Sequence, residues 1–410
     1  SPYISINQTT TGITLTLPSP TNTASGRILR IANSGTATFR ILNNNIIPGT
    51  FADFIWTGAV WIQGANGANT INVRDYGATG IDNSSVDDSL AFTNAINAVI
   101  ALGGGILFIP TGKYRVDNII IPSNIIIRGA GKGVSRIFQF TTGQRMFWVN
   151  GQIATGPNTG FGHKSYFSME DLSLEGGTKS TEILRIDGGS VFKLEDVNFA
   201  GGTLSQLYMK ECFDSWVIRC NFKSSTSTTT KTTILDYGQY DNTNNIRFSG
   251  CTWEGNSHVG AFKIICGGGA NNVYQITFDE ECKFENDTVD TDTEIFLIDG
   301  TLGGSGKGDV INLRFINPIF VINKNASLIS FFRTVNANVH GMSIDGGQIF
   351  YNGYTAGDTN PPLINFASDT TSQAYNIALM NCYFYGTQAL STYYAVKTIR
   401  ADTTQILCQY

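Results

Sequence analysis

The sequence predicts an all-β solenoid, a parallel β-helix, on three observations. The chain has 410 residues, 41% hydrophobic and only 14% charged, with 45 glycines and 10 prolines. A single core stops growing at roughly 250–300 residues, so such a length calls for several domains or an elongated repeat. Second, one pattern recurs from about residue 165 onward: apolar, two residues, apolar, one residue, apolar. Its copies are Met169/Leu172/Leu174, Leu194/Val197/Phe199, Val217/Cys220/Phe222, Phe248/Cys251/Trp253, Phe278/Cys282/Phe284 with one extra residue, Phe315/Pro318/Phe320 and Leu379/Cys382/Phe384, with Ile344/Gly347/Ile349 a weak copy. Their last members run from position 174 to position 384, seven steps over 210 residues, a mean period of 30. Third, a second short strand follows each copy: LRI (184–186), LYM (207–209), ILDY (234–237), FKII (262–265), FLI (296–298), ISFF (329–332), LINF (363–366) and YAV (394–396). Two strands per period describe one coil of a stacked helix whose alternate side chains enter a dry interior.

The elements follow in order. Residues 1–66 read as a small N-terminal β domain, with strand signals at 13–18, 27–32, 36–42 and 54–64 between Gly-containing turns. The spacer GANGANT (64–70) marks a boundary. Residues 67–140 form the entry to the solenoid. They contain one helix, DDSLAFTNAINAVIALGGG, capped by Asp87 or Asp88, with Leu90, Ala91, Ala95, Ile96, Val99 and Ile100 as its apolar stripe and Gly103 to Gly105 as its end. Residues 141–410 form the shaft. In its register Cys220, Cys251, Cys282 and Cys382 share one inward position, where a free thiol behaves as a small hydrophobe.

Composition excludes other classes. Twenty-six Phe, 16 Tyr and a net charge of -5 argue against disorder. No stretch approaches the ~18 consecutive apolar residues of a membrane span. The mild acidity gives no general attraction for nucleic acid or an anionic membrane, and polyanion binding needs a local patch. His163, His258 and His340 lie far apart and no C-x-x-C occurs, so neither a metal nor another cofactor is expected. The start at Ser1 shows no secretion signal, and an upstream segment is expected to be missing.

The segment INVRDYGATGIDNSSVDDSLAFTNAINAVIALGGGILFIPTGKYRV (71–116), with SNIIIRGAGKGVSRI (123–137), resembles the entry region of the pectate-lyase-like superfamily of right-handed β-helices. The matching positions are Val73, Asp75 to Gly80, Asp87/Asp88, Gly104/Gly105, Pro110, Gly112, Tyr114, Gly129 and Gly131, and the departure is Ile81-Asp82-Asn83, where the family has Asp-Gly. The resemblance implies a right-handed parallel β-helix whose helix caps the open end. Within that superfamily the front β-module and the Thr/Ser/Asn-rich shaft look like a bacteriophage tailspike depolymerase. That likeness implies a homotrimer on the virion, joined to the phage tail or baseplate, which cleaves bacterial capsular or O-antigen polysaccharide at the host surface.

Glycoside hydrolysis needs two carboxylates about 5–5.5 Å apart for retention or ~6.5–9.5 Å for inversion. The residue after the last apolar position of each copy faces outward, which gives the column Glu175, Ala200, Lys223, Glu254, Glu285, Val321, Phe350 and Tyr385. Glu254 and Glu285 fall on adjacent coils, where one is expected to serve as acid and the other as base or nucleophile, with Lys223 nearby to bind substrate. A second cluster, Asp236-Tyr237 with Tyr240-Asp241, offers Asp236 and Asp241 as alternative catalytic carboxylates and Tyr237 and Tyr240 as sugar contacts. Asp279-Glu280-Glu281 and Asp287 with Asp290 and Asp292 add further acids, Asp287 as a substrate contact. Asp187 and Asp299 are expected to shape turns. Aromatics at 148, 166, 216, 351 and 354 are candidates to line a groove, and Trp253 reads as core. Elimination with Lys263 or Arg247 as base, for which the Asp clusters offer oxygen ligands to calcium, glycan binding without cleavage, and a secreted bacterial pectinase-like enzyme are the rival readings.

Overall fold

The computed structural model describes residues 3–21, 27–42, 44–56, 61–63, 70–151, 162–227, 230–238, 241–255, 260–267, 272–286, 294–301, 308–324, 330–353, 363–365, 372–386, 396–397 and 406–409. The chain divides into two compact units, Ser1–Thr70 and Ile71–Tyr410. In the first, Tyr3–Ile6, Arg27–Asn33, Phe51–Trp56 and Trp61–Gln63 form one sheet. Ile13–Leu15, Phe39–Ile41 and Asn44–Ile46 form another, and Ile31, Phe39, Ile41 and Phe54 make a small core.

The second unit is a parallel β-helix. Its second-strand segments stack into one sheet that runs from Ile119–Ile120 through Glu182–Asp187, Ser205–Lys210, Thr233–Asp236 and Glu294–Asp299 to Val396–Lys397. The recurrent pattern builds the other sheet, and each copy of the pattern bends within itself. The bend explains the spacing of that pattern. Asp171, Asp196, Arg219, Gly250, Asn317, Gly346 and Asn381 all have positive φ, and each occupies the second of the two positions between the first and second apolar residues. A left-handed residue there breaks strict alternation, so Leu194, Val197 and Phe199 all point inward around Asp196. Asn and Asp tolerate this conformation best among side-chain-bearing residues, and they fill four of these seven bends. The coil with one extra residue accommodates it by placing both Glu280 and Glu281 at positive φ.

Because each coil repeats the last, like side chains stack. Phe199, Phe222, Trp253 and Phe284 form one internal column with ring centroids 4.8, 5.1 and 4.5 Å apart. Phe248, Phe278 and Phe315 form a second, at 4.9 and 4.7 Å. Burial of each ring stabilises the shaft by roughly 1.5–3 kcal/mol, and each aromatic contact adds about 0.5–1.5 kcal/mol. The indole N–H of Trp253 donates to Thr233 Oγ1 at 2.8 Å, so this buried polar atom is satisfied. Cys220, Cys251 and Cys282 lie in the core as expected, and burial followed by hydrogen bonds to its two neighbours holds the Cys251 thiol well above the usual range. Cys382 is only half-buried.

The helix, Ser89–Ala101, packs against the first coil's strands at Gly105–Ile109, Gly112–Val116 and Ile119–Ile120. Two expectations for it need correction. Leu90 and Ile100 are exposed, and Phe92 takes the central buried place against Tyr114 at 5.7 Å. Of the two capping candidates, Asp87 meets the helix start, its Oδ1 accepting the Ser89 backbone N–H at 2.9 Å, whereas Asp88 makes no capping bond. Its carboxylate accepts the Thr79 and Arg115 backbone N–H groups instead, tying the Asp-Tyr-Gly-Ala entry segment to the first coil.

Candidate functional site

The outward column exists as a ladder. Glu175 pairs with Ala200, Ala200 with Lys223, and Lys223 with Glu254. The partners Thr252↔Lys283 and Trp253↔Phe284 carry the register to Glu254 beside Glu285, and Val321, Phe350 and Tyr385 continue it. Adjacent rungs of such a sheet lie about 4.8 Å apart. Trp253 and Phe284 fix the inner side of these two strands, so the glutamates between them and solvent have a rigid footing.

Lys283 stands between the two acids, its Nζ 3.0 Å from Glu254 Oε2 and 2.8 Å from Glu285 Oε2. Glu285 also accepts from Asn323 Nδ2 at 3.1 Å. The Glu254 side chain is 43% exposed and that of Glu285 27%, so both are open to a ligand while Glu285 is the more firmly held. Burial works to lower the Lys283 ammonium, but the hydrogen bonds it donates to Glu285 and Glu254 outweigh it and hold the group above the usual lysine range. Lys283 and Asn323 were not singled out from the sequence. Lys283 was nevertheless legible there: it precedes Glu285 by two on one strand and therefore shares its face.

Asp236 and Asp241 lie elsewhere. Asp236 ends the strand Thr233–Asp236 in the other sheet, where it accepts the Tyr208 hydroxyl and the Gly238 N–H, the latter at 3.0 Å. Asp241 Oδ1 accepts its neighbour's N–H from Asn242 at 2.7 Å, and Oδ2 stands 3.9 Å from His163 Nε2. The ring of Tyr237 packs so closely on Gly267 that a Cβ there would lie 2.4 Å from it. Glu254 and Glu285 thus share one column, and Asp236 belongs to the other sheet. Tyr240, Asp287, Asp290, Asp292 and Tyr354 lie outside the described residues.

Around Asp236 the sheet carries a mutually bonded network that sequence reasoning missed. Asp187 accepts the Trp148 indole N–H and the Arg185 Nε, both at 2.7 Å. Arg185 also reaches Glu182 at 2.9 Å, and Arg145 holds the other Glu182 oxygen at 2.7 Å. The guanidinium of Arg185 lies 4.5 Å over the ring of Tyr208, whose hydroxyl burial and then Asp236 push up strongly. Asp187 is therefore the anchor of an ion network rather than the former of a turn. Asp299 does shape its turn, accepting the Thr301 N–H at 2.9 Å, and it pairs with Lys263 at 2.7 Å. Arg247, the other base considered for elimination, is held by Asp279 at 2.5 Å. Of the remaining aromatics, Tyr166 and Trp216 are exposed, whereas Tyr351 is buried and belongs to the core. Among the described residues no three His, Cys, Asp or Glu side chains are grouped to hold a metal ion.

Comparison with known proteins places this architecture. Mannuronan C5-epimerase AlgE3 of Azotobacter vinelandii is 36% identical over 127 residues, which are 28% of this chain and 6% of the epimerase, so the match spans a small part of that enzyme. The solved structure of ORF18 of Geobacillus virus E2 superposes with a TM-score of 0.59 at 18% identity, covering 88% of this chain and 68% of that one. A tailspike protein, gp49 of the Acinetobacter baumannii bacteriophage Fri1, described as a capsular polysaccharide depolymerase, gives 0.52 at 13% identity over 98% of this chain and 77% of its own. At such identities the likeness is one of fold, the right-handed parallel β-helix that the entry motif implies. The model of the rhamnogalacturonase A/epimerase, pectate-lyase-like family matches residues 70–294, more than half of the sequence, and the chain belongs to that family.

Proposed function

We propose that the chain is the shaft of a phage tailspike that hydrolyses a bacterial capsular or O-antigen polysaccharide, with Glu254 and Glu285 as its catalytic carboxylates. The observation that carries this reading is their placement on adjacent rungs of one exposed column, with Lys283 between them. A rung spacing of about 4.8 Å is close to the separation of a retaining pair. Glu285, held by Lys283 and Asn323, is suited to attack the anomeric carbon. Glu254, the more exposed, is suited to protonate the glycosidic oxygen as that bond breaks. Water then attacks the glycosyl-enzyme while Glu254 takes back a proton. Lys283 must turn from Glu254 for the acid form to exist, because a neighbouring ammonium favours the carboxylate.

The fold of the viral structures supports a place on the virion, and homotrimeric assembly and attachment to the tail belong to the same reading. Purified protein incubated with host polysaccharide should release new reducing ends, and NMR of the first product should show the retained anomer. Binding without new ends would reduce the protein to a receptor-binding fibre.

A second reading, elimination at a uronate, draws support from the epimerase match and from two groupings, Arg185 over Tyr208 with its hydroxyl on Asp236, and Asp241 beside His163. Its signature is ultraviolet absorption by an unsaturated uronate among the products.

A further inference from the structure

The sequence holds three Asn-Gly pairs, at 66–67, 150–151 and 352–353. In such a pair the glycine nitrogen can close on the asparagine side-chain carbonyl, because no Cβ on the following residue stands in the way. The first pair lies outside the described residues. The other two end strands of the shaft, Phe147–Asn150 and Gln348–Asn352, and the fold treats them in opposite ways.

At 150–151 the attacking nitrogen is locked. The Gly151 N–H donates to the Asp187 carbonyl at 2.7 Å, Gly151 is buried, and a Cβ on it would lie 2.3 Å from the Gly188 carbonyl oxygen. At 352–353 both residues are exposed, and the Gly353 N–H has no acceptor among the described residues. Gly353 has φ +77, and a Cβ on it would meet nothing nearer than Lys324 Cβ at 3.4 Å, so the backbone there has room to move. Asn352 also has a task. Its Nδ2 donates to Asn323 Oδ1 at 3.1 Å, and Asn323 Nδ2 donates in turn to Glu285 Oε1 at 3.1 Å and to the Asn286 carbonyl at 2.5 Å. The bond from Asn352 therefore decides which end of the Asn323 amide faces Glu285.

We infer that Asn352 is a site of spontaneous deamidation, and that its conversion withdraws the support of Glu285. The Gly353 nitrogen gives its proton to solvent base and bonds to Asn352 Cγ. The Cγ–Nδ2 bond breaks, ammonia leaves, and a cyclic imide remains. Water then adds to either imide carbonyl, opening the ring to aspartate or, with the main chain rerouted through the side chain, to isoaspartate. The balance is amide plus water to carboxylate plus ammonium, with nothing oxidised or reduced. Either product replaces the amide donor with a carboxylate, which only accepts. Asn323 then turns its Nδ2 toward position 352 and its oxygen toward Glu285, where acceptor meets acceptor. This last step rests on the role proposed for Glu285, and the modification itself does not.

Peptide mass spectrometry of the full chain, aged in mildly alkaline buffer, tests the site. Asn352 should convert, partly to isoaspartate, and Asn150 should convert about tenfold more slowly or less, because its pair reacts only when the strand end opens. In the urea-unfolded chain the two should convert at like rates, which separates protection by the fold from the chemistry of the pair. No conversion at Asn352 in the folded chain, or equal rates at Asn352 and Asn150 there, overturns the inference. Anion exchange separates the converted protein by its added negative charge. That fraction, and the Asn352→Asp variant made directly, should release reducing ends several-fold more slowly than unconverted protein, with sedimentation unchanged. Full activity in both overturns the link to Glu285. If fresh protein releases no reducing ends, the hydrolase falls and the link with it, while the peptide map still decides the modification, so the two failures are distinguishable.

Discussion

Two outward faces of one solenoid carry ladders of acids and bases, and they differ in how fully their charges are matched. On the face of Asp187, the carboxylates of Glu182, Asp187 and Asp236 are met by Arg145, Arg185, Trp148 and Tyr208, and the side chain of Asp187 is only 3% exposed. On the face of Glu254 and Glu285, one lysine serves two glutamates, both open to solvent, and Lys223 next to them has no acid partner among the described residues. A closed network spends its hydrogen-bonding capacity on the fold. An incomplete one keeps capacity for a ligand, which is why the second face is the better candidate for chemistry.

Four experiments break or sharpen this contrast. The largest effect is expected at the open face, where Glu254→Gln and Glu285→Gln should each lower the release of reducing ends by about 10²–10⁴-fold with sedimentation unchanged. Turnover at the wild-type level in both would move the chemistry to Asp236 and Asp241. At the closed face, Asp187→Ala should cost about 3–5 kcal/mol in denaturant unfolding, because it leaves the Trp148 indole N–H without its acceptor and Arg185 with Glu182 alone, while activity per folded molecule holds. A loss below about 1 kcal/mol would mean that this face is not closed.

Third, the raised Tyr208 hydroxyl makes the closed face sensitive to alkali. Burial and Asp236 favour its neutral form in the fold, so its contribution is whole below the unfolded tyrosine value of about 10 and is lost as pH rises from there toward the folded value. Melting temperatures taken from pH 8 to 11 should fall more steeply for the wild type than for Tyr208→Phe. The smallest effect on stability is expected from Lys283→Gln, under about 1 kcal/mol, since this lysine is 31% exposed. Its mark should be on cleavage, where loss of the group that bridges Glu254 and Glu285 should lower the release of reducing ends with sedimentation unchanged.

Much of this was written in the sequence, in a form that the bend explains. The spacing of Leu194, Val197 and Phe199 is the print of a left-handed residue at Asp196, and its repetition alone defines the outward column from Glu175 to Tyr385. The network around Asp187 was not legible for a physical reason. Arg185 meets Tyr208 across a rung, and that pairing depends on the register of a sheet whose strands are joined by connections of unequal length: Asp187 aligns with Lys210, 23 residues on, and Lys210 with Asp236, 26 residues on. Lys283 was overlooked because the search followed acids along the column, whereas its role depends on a long side chain lying between two of them. Leu90 and Ile100 misled because the helix buries a narrower stripe than its apolar residues suggest.

The left-handed residue in every coil also limits how such a molecule can change its size. Excising positions 221–251 would join Cys220 to Thr252, the residue that already lies beside Asn221, and every ladder above the cut would rejoin in step. Removing half that length would leave the ladders above the cut out of register. Growth and shrinkage are therefore quantised in whole turns, and a lineage can shorten or extend its reach toward a surface without redesigning any interior contact.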